Sequence, residues 1–205
     1  MILVFNKYFT AKEEAQLLRY IAKHGDVLAK RDHAWIRFGL RTGARVETMA
    51  LFTVGDALHA LQHDRISFRG ETLKGRKTSK KAHSISLTKE RKKAIKDLLN
   101  IRKAMKSDED QSQPLIMGQK GQGMSIRSMQ VRIKAWAIGA GIRNAEKVSP
   151  HWLRHTCAKR IMAVSEAQDP RVSVMIELGH SSYESTVIYT RPDKENHEAA
   201  IREVC

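Results

Sequence analysis

The chain has 205 residues, 41% of them hydrophobic, with 37 Lys and Arg against 22 Asp and Glu and a net charge of +15. One ordinary domain over residues 1–205 is expected, large enough to bury a core without staples. No apolar run approaches a membrane span, the apolar start MILVF is too short for a secretory signal, and two cysteines, Cys157 and Cys205, make neither a disulfide framework nor a metal cluster, so a reducing cytoplasm is the expected compartment.

Thr10-Ala-Lys-Glu13 has the form of a capping box, and Leu17, Leu18 and Ile21 follow at helical spacing up to Gly25. A second helix is predicted over Asp32–Leu40 and a third from Ala44 through Met49 to Phe52. From Ala57 to Thr88 the period changes to alternation. Three short strands are read at Ile66–Arg69, Leu73–Lys77 and His83–Leu87, punctuated by Gly70 and Gly75. Helix returns after Thr88, with Ile95, Leu98, Leu99 and Met105 as its apolar stripe. Residues 107–114, SDEDQSQP, are a polar loop, and helices are predicted at 125–140, 150–165, 170–178 and 193–203. Ser149-Pro150 reads as a capping hydroxyl followed by proline at the first helical position. The fold class is therefore α+β, mainly α: a helical domain with a small antiparallel three-stranded sheet.

The charge is unevenly spread. From Arg69 to Lys106 there are fourteen Lys or Arg and three acids, Glu71, Glu90 and Asp97. A field of that sign calls for a polyanionic partner. No helix pairs a basic face with a strongly apolar one, so nucleic acid is preferred over a membrane surface.

Four segments carry chemistry. They are Thr42-Gly-Ala-Arg45-Val-Glu47, then Arg76-Lys77-Thr78, then His151-Trp-Leu-Arg154-His155-Thr156, and last Leu178-Gly-His180-Ser-Ser with Tyr189 nine residues after His180. Each alone has a plain structural explanation. Arg45 and Glu47 suit a surface pair, His180 beside Gly179 suits a helix C-cap, and Tyr189 in Val-Ile-Tyr suits a core. Tyr8, Tyr20 and Tyr183 read as structural. His151 and His155 are four apart, but a metalloprotease helix wants Glu where Trp152 stands, and no third ligand is in view, so no metal is expected.

Taken together and in order, the four segments resemble the phage integrase, or tyrosine recombinase, family over essentially the whole chain. The resemblance implies a DNA strand transferase in which Tyr189 attacks phosphorus. A 3′-phosphotyrosine forms, a 5′-hydroxyl leaves, and the bond energy is kept for rejoining. It implies no cofactor, double-stranded DNA as partner, and four protomers on paired sites, for integration, excision or inversion of a DNA segment. Two readings compete with it: a type IB topoisomerase using nearly the same chemistry, and a DNA-binding regulator that has kept the fold without turnover.

The residue types fit the task. An unperturbed tyrosine, with a pKa of about 10, is phenolate to only about one part in a thousand at pH 7. Charge also gathers on the non-bridging oxygens, where planar guanidinium groups serve better than lysine. The resemblance gives that role to Arg45 and Arg154, proton handling and phosphate hydrogen bonding to His151 and His180, and supporting roles to Glu47, beside Arg45, and His155. Lys77 matches the general acid that protonates the leaving oxygen, with Lys80 as the alternative because the turn is about one residue longer than usual. Arg76, Lys80 and Lys81 near the hairpin, and Arg127, Arg132 and Lys134 on the helix at 125–140, are candidate DNA contacts. Most family members carry a further N-terminal helical domain that clamps DNA. None precedes Thr10 here, so the expectation is a catalytic domain alone, whose tail, Arg191 to Cys205, docks on a neighbouring protomer.

Overall fold

The computed structural model describes residues 7–69, 82–105, 110–180 and 186. In chain order these form α1 (Ala11–Ala22), α2 (Val27–Thr42), α3 (Val46–Leu51), α4 (Val54–His63), β1 (Arg65–Phe68), β2 (His83–Ser86), α5 (Lys89–Ala104), α6 (Ile126–Gly139), a 3-10 turn (Ala145–Lys147), α7 (His151–Val164) and α8 (Pro170–Leu178). The mainly helical α+β reading holds. Among the described residues the sheet has two strands rather than three, pairing antiparallel from Arg65↔Ser86 to Phe68↔His83. The expected middle strand at 73–77 lies outside the described residues, as do the helix read at 193–203 and part of the polar loop.

Local chemistry explains most of the boundaries. The Thr10 capping box forms: Glu13 N–H donates to Thr10 Oγ1 at 3.2 Å, and Thr10 N–H to Glu13 Oε2 at 2.9 Å. Helix α2 begins earlier than predicted because the Asp26 carboxylate accepts from the Leu28 and Ala29 amides. It ends where Gly43 takes a left-handed conformation at φ 62°. Helix α4 is a correction. The sequence reading began an alternating region at Ala57, but Thr53 and Asp56 form a second capping box, and Val54, Ala57 and Ala60 bury one helical face. Helix α7 corrects the cap: no side chain caps it, and the Ser149 carbonyl, not its hydroxyl, accepts from Trp152 N–H at 2.9 Å. Pro150 already has helical angles there, so the main chain closes the first turn by itself.

Helix α2 is the axis of the molecule. Trp35, Ile36, Phe38 and Leu40 are fully buried, and α1, α5, α6 and α7 pack around them. Eleven of its sixteen residues are buried, charged ones among them, which puts it at the centre. Its middle holds one fully buried acid, Asp32. Asp32 Oδ1 accepts from Arg31 Nε and Nη2 at 3.0 and 2.8 Å and from Trp35 Nε1 at 3.1 Å. Oδ2 accepts from Trp136 Nε1 at 2.7 Å and from Arg132. That cluster ties α6 to α2. The C-terminal end of α2 points to the site.

Candidate active site

The Gly43 turn does two jobs. It reverses the chain into α3, placing Arg45 at the N-cap of that helix. It also passes so close to the neighbouring helices that a Cβ on Gly43 would stand 2.3 Å from Leu178 of α8 and 3.3 Å from Cys157 of α7. Both the positive φ and the close approach call for glycine. This explains the Thr-Gly of the first motif better than any chemical role would.

Arg154 lies one turn into α7, three residues after His151, and is buried, with 5% of its surface exposed. Nη1 donates to the Gly43 carbonyl at 2.6 Å and Nη2 to the Leu178 carbonyl at 3.0 Å. One guanidinium therefore joins the turn that carries Arg45 to the helix end that carries His180. Gly179 ends α8 in a left-handed conformation, φ 63°, and an added Cβ there would lie 2.7 Å from the His83 ring. The C-cap reading of Gly179-His180 holds, and the cap sets where His180 leaves the helix.

His180 Nδ1 hydrogen-bonds to Thr186 Oγ1 at 2.8 Å, and Thr186 is fully buried. Burial first, then the nearby Arg154, Arg45 and His83, push the His180 pKa down to about 4. The ring is therefore neutral at pH 7, able to donate or accept one proton through an uncharged imidazole. His155 is also pushed down to about 4, by burial first and then by His151, Arg154, Lys7 and Lys159. Its ring centroid is 6.3 Å from that of the exposed His151. Cys157, buried beside the Gly43 turn, has its thiol pushed up to about 11, mainly by burial, so it offers no thiolate nucleophile. Among the described residues, no group of three or more His, Cys, Asp or Glu is arranged to hold a metal ion.

The structure thus brings Arg45, Arg154 and His180 into one region, with His151 and His155 on the same helix as Arg154. Glu47 is exposed, and no ion pair joins it to Arg45 among the described residues. Arg132, expected at the DNA surface, has an internal partner in Asp32 and lies over the Trp136 ring, 5.6 Å from its centroid. Arg127 and Lys134 are exposed on α6. Arg76, Lys77, Lys80, Lys81, Tyr183 and Tyr189 lie outside the described residues. Sequence reasoning missed four residues that contact the His180 segment or hold it: His83, Arg91, Glu177 and Thr186. Only His83 had a signal, as a polar residue at the end of a strand, and that was not enough.

The model of the Phage integrase family matches residues 7–196. The chain belongs to the phage integrase family. Among curated relatives, tyrosine recombinase XerC of Neisseria gonorrhoeae is 32% identical over 169 residues, covering 82% of this chain and 50% of the relative. Tyrosine recombinase XerD of Haemophilus ducreyi is 29% identical over 169 residues, covering 82% and 52%. The chain spans about half the length of the curated relatives it matches. The fold matches that of XerA recombinase with a TM-score of 0.71 at 21% identity, over 96% of this chain and 62% of that one. It matches XerH site-specific recombinase, bound to palindromic difH substrate in a post-cleavage complex, with a TM-score of 0.71 at 22% identity, over 96% and 53%. The Tn1549 transposon integrase in complex with circular intermediate DNA gives a TM-score of 0.71 at 18% identity, over 97% and 67%. The integrase catalytic-domain fold is thus the architecture in which the Gly43 turn, α7 and the end of α8 meet.

Proposed function

We propose that this integrase-family chain is the catalytic domain of a site-specific DNA recombinase, with Tyr189 as its nucleophile. The observation that carries the reading is the meeting of Arg45, Arg154 and His180 at the Gly43 turn. The Tyr189 oxygen forms a bond to phosphorus as the bond to the 5′-oxygen breaks. Lys77, or Lys80 in its place, gives the leaving oxygen its proton, and the tyrosine's own proton passes to a neighbouring base. His180, neutral at pH 7, and His151 are the candidates for that base and for hydrogen bonding to the phosphate. Arg45 and Arg154 stabilise the charge on the non-bridging oxygens, where loss of one such group costs about 3–4 kcal/mol. Run backwards with another strand's 5′-hydroxyl, the same steps rejoin DNA. The partner is double-stranded DNA in the cytoplasm, and the working assembly is a homotetramer on paired sites, used for integration, excision or inversion. Among the described residues no helix is long and apolar enough to cross a membrane.

The test is a suicide duplex nicked near the cut site, run on a denaturing gel. The wild-type chain should become covalently attached to the duplex. Tyr189→Phe should bind DNA as well and give no adduct. An adduct from the Phe variant would move the nucleophile to Tyr183.

A further inference from the structure

Arg91 belongs to none of the four motifs, yet it is among the most heavily engaged side chains in the molecule. It lies in the first turn of α5 and is 7% exposed. Its guanidinium reaches three other elements. Nε donates to the Arg41 carbonyl at 2.9 Å, near the end of α2, and Nη1 to the Ser86 carbonyl at 2.7 Å, at the end of β2. Nη2 forms an ion pair with Glu177 in the last turn of α8. His83 of β2 adds a hydrogen bond between its Nε2 and the Glu177 carbonyl at 3.0 Å, with its ring against Gly179. From the α7 side, Arg154 holds the Leu178 carbonyl. Three side chains from three different elements therefore grip the consecutive residues Glu177, Leu178 and Gly179, and His180 is next in the chain.

Arg91 and Arg154 repeat one design from opposite sides. Each bonds a carbonyl at the α2 end, Arg41 or Gly43, and each bonds the α8 end, at the Glu177 carboxylate or the Leu178 carbonyl. A planar fork reaching three acceptors on three elements is a task for arginine, since an ammonium is a single point donor group. Arg91 alone also ties in β2, the strand that follows the segment carrying Lys77 and Lys80.

We propose that Arg91, acting through Glu177, is a positioning residue for strand cleavage, fixing the end of α8 against the Gly43 turn so that His180 faces the same phosphate as Arg45 and Arg154. This rests on the reading that His180 and the two arginines act at that phosphate. Arg91 itself makes no contact with the reacting atoms. Its effect is geometric, and in positioned catalysis a shift of about 1 Å costs on the order of a hundredfold in rate.

The full chain is compared with Arg91→Gln, Arg91→Lys, Glu177→Gln and, as a control, Asp97→Asn. Asp97 pairs with Arg37 at 3.0 Å between the same helices α5 and α2, away from α8. The first readout is the rate of adduct formation on the nicked duplex at saturating DNA. Arg91→Gln and Glu177→Gln should slow it by about 10- to 100-fold with DNA affinity unchanged, and Arg91→Lys should recover part of the loss. The second readout is the NMR titration of the His180 ring. Its midpoint, about 4 in the wild type, should rise in both Gln variants as the ring moves away from burial and from Arg154, Arg45 and His83. Asp97→Asn should lower Tm and move neither readout.

Wild-type adduct rate and an unmoved His180 titration in a folded Arg91→Gln would overturn the proposal. If Arg91→Gln does not fold, Glu177→Gln decides, since that carboxylate is 26% exposed and its loss leaves the Arg91 carbonyl bonds in place. A wild-type chain that forms no adduct at all would sink the recombinase reading, while the titration would still report whether Arg91 holds α8.

Discussion

Two buried arginine clusters sit against the same helix, α2, and they differ in the acceptors that hold them. In its middle, Asp32 collects Arg31, Arg132, Trp35 and Trp136, so a carboxylate answers the guanidinium groups directly. At its end, Arg154 donates to the carbonyls of Gly43 and Leu178, neutral acceptors on two different chain segments. The first arrangement joins helices. The second joins chain segments at the place where Arg45 and His180 meet, the region proposed to receive the phosphate. A buried arginine is therefore not informative by itself; the acceptors it is given decide what it does.

Removing the acid or the base in each cluster should break the comparison most sharply. Asp32→Ala leaves Arg31 and Arg132 without their carboxylate and should cost about 3–5 kcal/mol of stability, measured by urea unfolding. The folded fraction should still form adduct at nearly the wild-type rate. Arg154→Ala should add a large loss of rate to a comparable loss of stability. Adduct formation should fall by about 10²- to 10³-fold, while the two carbonyls left behind cost about 1–3 kcal/mol each. Equal losses of stability and of rate in both variants would erase the distinction between a joining cluster and a working one.

Acid should act on the working region. His155 has its pKa at about 4 in the fold against 6.5 unperturbed. Above pH 6.5 both states are neutral there and nothing is gained or lost. Between 6.5 and 4 the unfolded chain binds a proton that the native site refuses, so stability falls as the pH falls, by about 1.4 kcal/mol per unit at most for this one site. Below 4 the loss levels off. Urea unfolding at pH 7, 6 and 5 should show this slope, and His155→Gln should flatten part of it. His180 shifts in the same direction, so some slope remains. An unchanged slope in the variant would mean that His155 charges freely in the fold.

The smallest effect concerns which α6 cations reach DNA. Arg127 is exposed, and Arg132 is engaged with Asp32. Arg127→Gln should reduce the slope of log affinity against log salt by about 1. Arg132→Gln should lower stability and leave that slope nearly unchanged. The opposite pattern would put Arg132 at the phosphate after all.

Much of this was legible in the order of residues because its causes are local. A capping box needs only Thr10 and Glu13, a helix stop needs only Gly43 or Gly179, and an apolar stripe shows within a few turns. The motif set Arg45, His151, Arg154, His180 and Tyr189, on which the proposed function rests, could be named for a related reason: the proposed chemistry demands particular side chains, whatever surrounds them. Helix α4 was missed although its capping box was in plain view, because Gly55 and a short apolar face look like the edge of a strand region. What only the tertiary structure decided has partners far away in sequence. Arg132 turns inward to an acid 100 positions earlier, Arg91 reaches both Arg41 and Glu177, and His83 packs on Gly179. Arginine looks the same in the sequence whether it will meet a carboxylate, a carbonyl or a phosphate. The sequence determined which groups the protein offers to the proposed phosphodiester chemistry. Only the packing of α2, α5, α7 and α8, set by burial of side chains that are not neighbours in the chain, decided which acceptors each buried cation meets.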